Sequence, residues 1–238
     1  MGKIIVTDGA GFIGSALVRR LITEYPSAEI IVIDNLSTGF QENLAEVKDK
    51  IKFIKADIRD LNVIKEYFKD ADIVFHEAAL PSVPRSITDP APSHETNIDG
   101  TFNVLLASKE GGVKRLIYAA SSSVYGDTEE LPKKESFQTN PKSPYALQKL
   151  VGEHYCNLFS SVFGLETTSI RYFNVFGPRQ NPNSPYSGVI SLFIKSIINK
   201  ESPTIHGDGE QTRDFTYVEN IVDLNIRAAK SSIIPNRV

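Results

Sequence analysis

Tyr145 and Lys149 are the pair of side chains in this sequence best suited to move a proton. They stand four residues apart at the start of a helical pattern, so both project from one face of the helix. A tyrosine phenol has a pKa of about 10 and is a poor base at neutral pH, but a lysine ammonium held beside it favours the phenolate. The pair therefore predicts acid–base chemistry with Tyr145 as the proton carrier.

A run of serines from Ser121 to Ser123 precedes this pair, at the end of an apolar strand pattern. Hydroxyl groups at the carboxyl end of a parallel strand face the crevice in which ligands bind. A serine there can hydrogen-bond the substrate oxygen whose proton moves. The alternative is that these serines only cap the following loop, and the residues by themselves leave both interpretations open.

A glycine-rich turn, Gly9-Ala10-Gly11-Phe12-Ile13-Gly14, fits the pattern G-x-G-x-x-G between a strand and a helix. The glycines allow a tight turn and bring the backbone close to a pyrophosphate at the helix N-terminus. Asp34 follows Gly14 by 20 residues, where its carboxylate can accept hydrogen bonds from both ribose hydroxyls. Because that charge repels a 2′-phosphate, the sequence predicts NAD rather than NADP.

Asp8 occupies a position in this turn where a third small residue is expected. A carboxylate beside a pyrophosphate is unfavourable unless it points away, and such close charge contacts are worth on the order of 1 kcal/mol or more. We therefore expect Asp8 to weaken NAD binding relative to glycine at this position.

The elements that carry these residues follow the pattern of βα units and a parallel sheet. Short apolar runs rich in β-branched residues predict strands at about Lys3–Thr7, Glu29–Ile33, Ile51–Lys55, Ile73–Phe75, Arg115–Ala119 and Glu166–Arg171. Helical patterns lie at about Phe12–Glu24, Leu61–Phe68, Pro92–Glu110 and Pro144–Phe163. The fold class is therefore α/β, with a Rossmann-type doubly wound parallel sheet.

Residues 173–238 are expected to form a small, incomplete C-terminal substrate-binding lobe after an NAD-binding domain at residues 1–172. The patterns in this part predict a helix at Gly188–Asn199, strands at Pro203–His206 and Arg213–Val218, and a last helix at Glu219–Ser231.

Composition excludes several classes of protein and site. The net charge of −3 provides no basic surface for a nucleic acid, and the single cysteine, Cys156, excludes an internal disulfide or a cysteine-built metal site. We expect no metal site.

No apolar run reaches the ~18 residues of a membrane span, and Met1-Gly2-Lys3 leads straight into a strand without a signal peptide. A cytoplasmic protein is expected.

The glycine turn, Asp34-Asn35, the run Ser121–Gly126, the Tyr145–Lys149 pair and the run Arg171–Asn174 occur together. This set resembles the extended short-chain dehydrogenase/reductase family over essentially the whole chain. Within that family it is similar to the NAD-dependent nucleotide-sugar 4-epimerases that act on UDP-glucose or UDP-N-acetylglucosamine. The first glycine of the family's longer G-x-x-G-x-x-G pattern falls on Asp8.

The resemblance implies a role for each matching residue. The implied catalytic residues are Ser121, Tyr145 and Lys149, with Ser123 as the second choice for the hydroxyl. The implied NAD-binding residues are Gly11, Phe12, Ile13, Gly14, Asp34, Asn35, Ser37, Thr38, Gly39, Asp57, Ile58, Ala78, Ala79, Leu80, Asn97, Tyr145, Lys149 and Phe173. The implied substrate-binding residues are Ser82, Ser121, Ser123, Tyr145, Asn174, Val189, His206 and Arg213.

The reaction implied is the 4-epimerisation of a UDP-hexose, either UDP-glucose and UDP-galactose or their N-acetylhexosamine counterparts. Tyr145 would take the proton of the sugar 4-hydroxyl while hydride passes to NAD, and hydride would return to the opposite face of the 4-keto sugar. The stretch Pro81–Ser86 looks more like that of the N-acetylhexosamine enzymes. A homodimer through the helical patterns at Pro92–Glu110 and Pro144–Phe163 is also implied. Apolar residues there, such as Leu150 and Leu158, could instead serve only the internal core.

Two alternatives stay open. One is a nucleotide-sugar 4,6-dehydratase or decarboxylase on the same scaffold. Dehydratases of the family place acidic residues directly after the catalytic hydroxyl, where this chain has Ser122 and Ser123, which favours the epimerase. The other is a non-catalytic NAD-binding protein, which Asp8 and the short C-terminal lobe favour.

Overall fold

The fold is organised around a six-stranded parallel sheet. The computed structural model describes residues 2–127, 130–183, 188–205 and 207–232. The strands are β1 (Lys3–Thr7), β2 (Glu29–Asp34), β3 (Lys52–Lys55), β4 (Ile73–His76), β5 (Arg115–Ser121) and β6 (Glu166–Tyr172). Their order, β3-β2-β1-β4-β5-β6, reverses between β1 and β4. This confirms the predicted Rossmann-type doubly wound sheet, whose ligands bind beyond the carboxyl ends of the strands at that reversal.

Helices cover both faces of the sheet. They are α1 (Phe12–Glu24), α2 (Leu61–Phe68), α3 (Val83–Thr88), α4 (Pro90–His94), α5 (Thr101–Glu110), α6 (Pro144–Phe163), α7 (Val189–Ile198) and α8 (Val218–Lys230). Short 3₁₀ segments lie at Gln41–Lys50 and Ser122–Tyr125, and a π-helical turn at Glu95–Gly100 joins α4 to α5. A two-stranded parallel ribbon pairs β7 (Val175–Phe176) with β8 (Thr216–Tyr217).

Two apolar layers sandwich the sheet, which explains the continuous apolar run of β2. Ile31 and Ile33 face the layer formed with α2, α5 and α6, whereas Ile30 and Val32 face the layer formed with α1 and α8. Successive side chains of a strand point to opposite faces, so a strand buried on both sides has no polar face. The predicted strand bounds are therefore close to the observed ones.

Helix α6, which carries Tyr145 and Lys149, has clear local start and stop signals. The Ser143 hydroxyl at the N-cap accepts a hydrogen bond from the Ala146 N–H, and Pro144 occupies the first turn. Gly164 ends the helix with φ 73°, in the left-handed region that glycine adopts without a β-carbon clash. These signals explain why the predicted bounds of this helix agree with the structure.

Three predicted elements differ from the structure. The continuous helix expected at Pro92–Glu110 is interrupted by the π-helical turn and starts earlier, in α4. The strand expected at Pro203–His206 does not form over 203–205, while His206 lies outside the described residues. The strand expected at Arg213–Val218 is reduced to Thr216–Tyr217, the only part of it with a neighbour, β7, to satisfy its backbone groups.

Helix α8 returns the chain to the sheet. Its apolar residues Val222 and Ile226 pack in the same buried layer as Leu17 and Leu21 of α1. The Arg115 guanidinium of β5 donates to carbonyl groups at the end of α8, at 2.9 Å to Ala229. The division of the chain at residue 172 remains a prediction. Within the described part of the chain, no helix is long and apolar enough to cross a membrane.

Candidate active site

A cleft of about 570 Å³ opens at the carboxyl edge of the central strands. It extends from the glycine turn after β1 to the end of β6, across the reversal in strand order. Among the predicted site residues, the cleft is lined by Gly11, Phe12, Ile13, Ser37, Thr38, Gly39, Ala79, Ser121, Tyr145, Lys149 and Asn174. The structure therefore brings the glycine turn and the proton-transfer residues into one cavity.

The glycine turn and Gly39 pack closely against neighbouring backbone and leave no room for side chains there. A β-carbon added at Gly14 would overlap the Asp8 carbonyl oxygen, and one at Gly39 would lie 2.8 Å from the Ala10 carbonyl carbon. Gly11, at the N-cap, provides no side-chain cap for α1. The first N–H groups of α1 thus face the cleft together with the positive end of the helix dipole, as a diphosphate requires.

Asp34 lies beside this turn at the end of β2, with 4% of its surface exposed. Its carboxylate accepts hydrogen bonds from the Ala10 N–H at 2.9 Å and the Leu36 N–H at 2.7 Å. Burial raises the pKa of Asp34, and these two backbone donors oppose the rise. Each oxygen keeps a further lone pair, so the carboxylate is fixed where it can accept from a ribose.

A smaller pocket of about 30 Å³ adjoins the cleft next to Asp34. Its walls include the predicted cofactor residues Asp34, Asn35, Ser37, Thr38, Ile58, Ala78 and Ala79. The Asn35 amide donates to the Asp57 carboxylate at 2.9 Å. Hydrogen bonds from Arg59 lower the pKa of Asp57 to about 2, which favours its ionised form at neutral pH. These contacts suit the adenosine half of a dinucleotide.

Asp8 occupies the position of the turn where a small residue is expected. Its backbone is left-handed, with φ 55°. Its carboxyl group covers Gly11, because a β-carbon at Gly11 would overlap an Asp8 carboxyl oxygen. Burial, followed by the charges of Asp34 and Glu77, raises the pKa of Asp8 well above its usual range. The carboxyl group does not point away from the cleft, and its environment favours the neutral form.

Asn97 holds the loop that follows β4. Its side chain accepts from the Leu80 N–H at 2.8 Å and donates to the Leu80 carbonyl at 3.2 Å and to Gln148 Oε1 at 2.8 Å. Gln148 in turn donates to Ser93 Oγ at 3.0 Å. Asn97 lies in the π-helical turn and is 1% exposed. Its contacts connect the cofactor-side loop to α6.

Tyr145, Lys149 and Ser121 come from two elements. Ser121 ends β5, and its hydroxyl accepts hydrogen bonds from the Ser123 backbone at 3.2 Å and the Ser123 hydroxyl at 2.9 Å. The Lys149 ammonium donates to the Ala119 carbonyl at 2.8 Å. The Tyr145 phenol hydrogen-bonds Ser121. The hydroxyl groups of Ser121 and Tyr145 are thus positioned to share one proton.

The expected depression of the Tyr145 pKa is not present in the structure. Burial raises the pKa of the Tyr145 phenol, and the hydrogen bond with Ser121 only opposes the rise. Lys149 is turned toward the Ala119 carbonyl and does not bond the phenol. The lysine can therefore lower the phenol pKa only through its charge.

The cleft walls do not include the predicted substrate residues Ser82, Ser123, Val189 and Arg213 or the predicted cofactor residue Phe173. Ser82 caps α3 with φ 125°, Val189 begins α7, and Arg213 is exposed, with a hydrogen bond to the Thr212 carbonyl at 2.7 Å. Phe173 packs 6.3 Å from the Tyr125 ring, centroid to centroid. Ser123 contacts Ser121, and His206 lies outside the described residues.

The predicted site residues leave out several residues of the cleft wall, among them Glu77, Arg85 and Tyr172. The signal for Glu77 is present in the sequence, since it is a charged residue directly after the buried strand β4. Tyr172 likewise ends β6, but the predicted site included only its neighbours Phe173 and Asn174. Of the described residues, none form a cluster of three or more side chains suited to a metal ion.

Comparisons with known proteins agree with this geometry. The model of the NAD dependent epimerase/dehydratase family matches residues 4–237. A putative UDP-glucose 4-epimerase of Methanocaldococcus jannaschii is 41% identical over 227 residues, which span 94% of this chain and 72% of the relative.

Two solved structures are similar over nearly the whole chain. The UDP-N-acetylglucosamine 4-epimerase from Methanobrevibacter ruminantium M1, in complex with UDP-N-acetylmuramic acid, has a TM-score of 0.93 and 45% identity, covering 98% of this chain and 74% of its own. The UDP-glucose 4-epimerase of Thermotoga maritima, with UDP-glucose, has a TM-score of 0.91 and 37% identity, covering 96% and 73%. On the match of sequence, fold and cleft, the chain belongs to the NAD dependent epimerase/dehydratase family.

Proposed function

We propose that the chain is an NAD-dependent UDP-sugar 4-epimerase, an isomerase that interconverts a UDP-hexose and its 4-epimer. The observation that carries the proposal is the convergence of Ser121, Tyr145 and Lys149 on the cleft that begins at the glycine turn. Relatives named as UDP-glucose and UDP-N-acetylglucosamine 4-epimerases support it. Both hexose types are therefore substrates to be tested.

The residues of the glycine turn would hold the NAD diphosphate, and Asp34 would accept from its adenosine ribose. NAD, when bound, supplies an acceptor that takes hydride from sugar carbon 4 and returns it. Tyr145 removes the proton of the 4-hydroxyl and gives it back, while Ser121 hydrogen-bonds the same oxygen. Lys149 stabilises the phenolate by its charge. Asn174, at the far end of the cleft, contributes to the substrate side.

The dehydratase alternative lacks its acid–base pair. Ser122 and Ser123, which follow Ser121, carry no carboxyl group that could protonate a leaving hydroxyl. Glu77 and Asp8 are the carboxyl groups that line the cleft, and both lie at its floor, at the ends of β4 and β1. This favours the epimerase over a dehydratase.

A cytoplasmic homodimer is part of the same proposal. Several large apolar side chains of α5 and α6 are exposed, among them Leu147 at 51%, Leu158 at 49% and Val162 at 61%. On α6, these three lie on one stripe, because spacings of 11 and 4 residues return to the same helix face. The stripe suits the matching surface of a second copy.

The test is incubation with UDP-galactose and, separately, UDP-N-acetylgalactosamine, followed by NMR detection of the 4-epimers. The Tyr145→Phe variant is the control, and we expect it to lose roughly 10²-fold or more in turnover. NAD binding is measured in parallel by calorimetry. If neither sugar is converted by protein that binds NAD, the epimerase proposal is wrong for this chain.

A further inference from the structure

Glu77 lies at the centre of the carboxyl edge of the sheet. In the sheet, His76 pairs with Thr7 of β1 on one side and with Tyr118 of β5 on the other. Glu77 is the next residue, so it lies between the residues that follow them, Asp8 of the glycine turn and Ala119 of β5. It is 7% exposed and lines the cleft. The carbonyl of Ala119 is the group that holds the Lys149 ammonium. The strand register therefore places a buried carboxyl group beside the lysine.

A chain of hydrogen bonds from α8 fixes this carboxyl group. The Tyr172 hydroxyl donates to Glu77 Oε1 at 2.9 Å, and Asn225 Nδ2 lies 2.7 Å from the same hydroxyl. Asn225 Nδ2 also donates to the Ile221 carbonyl at 2.9 Å. Because a carbonyl can only accept, this bond fixes the orientation of the amide. Asn225 must donate to Tyr172, which leaves the tyrosine proton for Glu77, an arrangement that favours the charged carboxylate.

Among the titratable groups around Lys149, Glu77 is the strongest counter-charge. On its own helix, Glu153 is paired with Arg171 at 2.8 Å, and burial raises the pKa of Cys156 to about 12. In the turn after β1, burial raises the pKa of Asp8 well above its usual range, and Asp8 supports the charge of Lys149 less than Glu77 does. From β4, burial lowers the pKa of His76 to about 3, which leaves it uncharged.

The aromatic groups beside Lys149 are also neutral. The ammonium lies 5.1 Å from the centre of the Tyr118 ring, whose hydroxyl pKa burial raises well above its usual range. Burial lowers the pKa of Lys149 to about 8, and of the groups that oppose this effect, Glu77 is the strongest. Burial also raises the pKa of Glu77 to about 7, so both groups titrate near neutrality.

We propose that Glu77 is a positioning residue that keeps Lys149 protonated beside Tyr145, and that Tyr172 and Asn225 hold Glu77 in place for this role. The effect on catalysis rests on the proposed epimerase function, since it acts through the Lys149–Tyr145 pair. The charge coupling between Glu77 and Lys149 does not depend on the proposed function.

The test is an NMR titration of the Lys149 ammonium in protein labelled with ¹⁵N at lysine side chains, assigned with a Lys149→Met variant. In Glu77→Gln the amide oxygen can still accept from Tyr172, but the charge is removed. We expect the Lys149 midpoint to fall by on the order of one pH unit. The matched control, Glu42→Gln on the exposed 3₁₀ segment, should leave the midpoint unchanged.

Tyr172→Phe is the second variant, because it keeps the Glu77 charge but removes the hydroxyl that stabilises it. A smaller fall of the Lys149 midpoint is expected there. An unchanged midpoint in folded Glu77→Gln would overturn the proposal. If that variant does not fold, an unchanged midpoint in Tyr172→Phe overturns it instead. The titration uses no sugar, so its result is independent of whether the epimerase assay succeeds.

Discussion

Asp8 gives the nucleotide site a carboxyl group in the place where diphosphate binding requires close approach of the backbone. Its left-handed backbone, at φ 55°, costs a residue with a β-carbon roughly 1 kcal/mol. Its buried carboxyl group favours the neutral form, because burial and the neighbouring Asp34 raise its pKa. A neutral Asp8 does not repel a diphosphate, whereas an ionised one does. The penalty expected from the sequence should therefore depend on pH.

We expect Asp8→Gly to bind NAD more tightly than the wild type, with a difference that grows as pH rises. Ionisation of Asp8 above its raised pKa places a charge beside the diphosphate, and the glycine variant has no group to ionise. Calorimetry at about pH 6 and about pH 9 measures this difference. Asp8→Asn is the control that keeps the side-chain volume but not the charge. Equal affinities of wild type and Asp8→Gly at both pH values would contradict the prediction.

The π-helical turn between α4 and α5 shows how an element can be built for one side chain. It places Asn97 so that one amide bonds both backbone groups of Leu80 and the Gln148 side chain. π-helical turns are rare, occur mostly as single turns inside α-helices, and are frequent at functional sites. Here the turn fixes the loop on the cofactor side of the cleft against the helix that carries Tyr145.

We expect Asn97→Ala to lower the free energy of unfolding by about 2 to 4 kcal/mol, because it leaves buried polar groups of Leu80 and Gln148 without partners. Urea denaturation measures the change. Asn62→Ala, at an exposed position of α2, is the matched control and should change stability little. A loss no greater than that of Asn62→Ala would mean that Asn97 does not hold the loop.

Sequence predicted those elements whose signals are local. The glycine turn marks the junction of β1 and α1, and Pro144 and Gly164 bound α6, so these limits agree with the structure. The π-helical turn could not be predicted, because its stabilising partners, Leu80 and Gln148, are distant in the sequence. The hydrogen bonds that link Glu77, Tyr172 and Asn225 could not be predicted for the same reason, because these residues are far apart in the sequence.

At the scale of the whole molecule, the exposed apolar stripe of Leu147, Leu158 and Val162 on α6 is a feature that the internal core does not explain. Leu158, which could have served only the core, is 49% exposed. Residues of this size exposed on one helix face indicate an interface when they form a contiguous patch. The stripe is the surface on which the proposed homodimer depends.

We expect the wild type to sediment as a dimer and Val162→Asp to sediment as a monomer, because a charge buried in an apolar interface is left without a partner. Val63→Asp on α2, where the side chain is 44% exposed, is the matched control and should leave the assembly unchanged. A wild type that sediments as a monomer would overturn the proposed dimer.

The return of α8 to the sheet has a consequence for how this fold can vary. The chain leaves the sheet after Tyr172 and is anchored again at Val218, and the β7–β8 ribbon joins the two ends of the excursion. The entropic free-energy cost of closing such a loop grows slowly, by about 0.6 kcal/mol for each doubling of its length. Changes of length between these anchors therefore cost the fold little, and under the proposed function the sugar side of the cleft, to which Asn174 belongs, can vary while the nucleotide site stays the same.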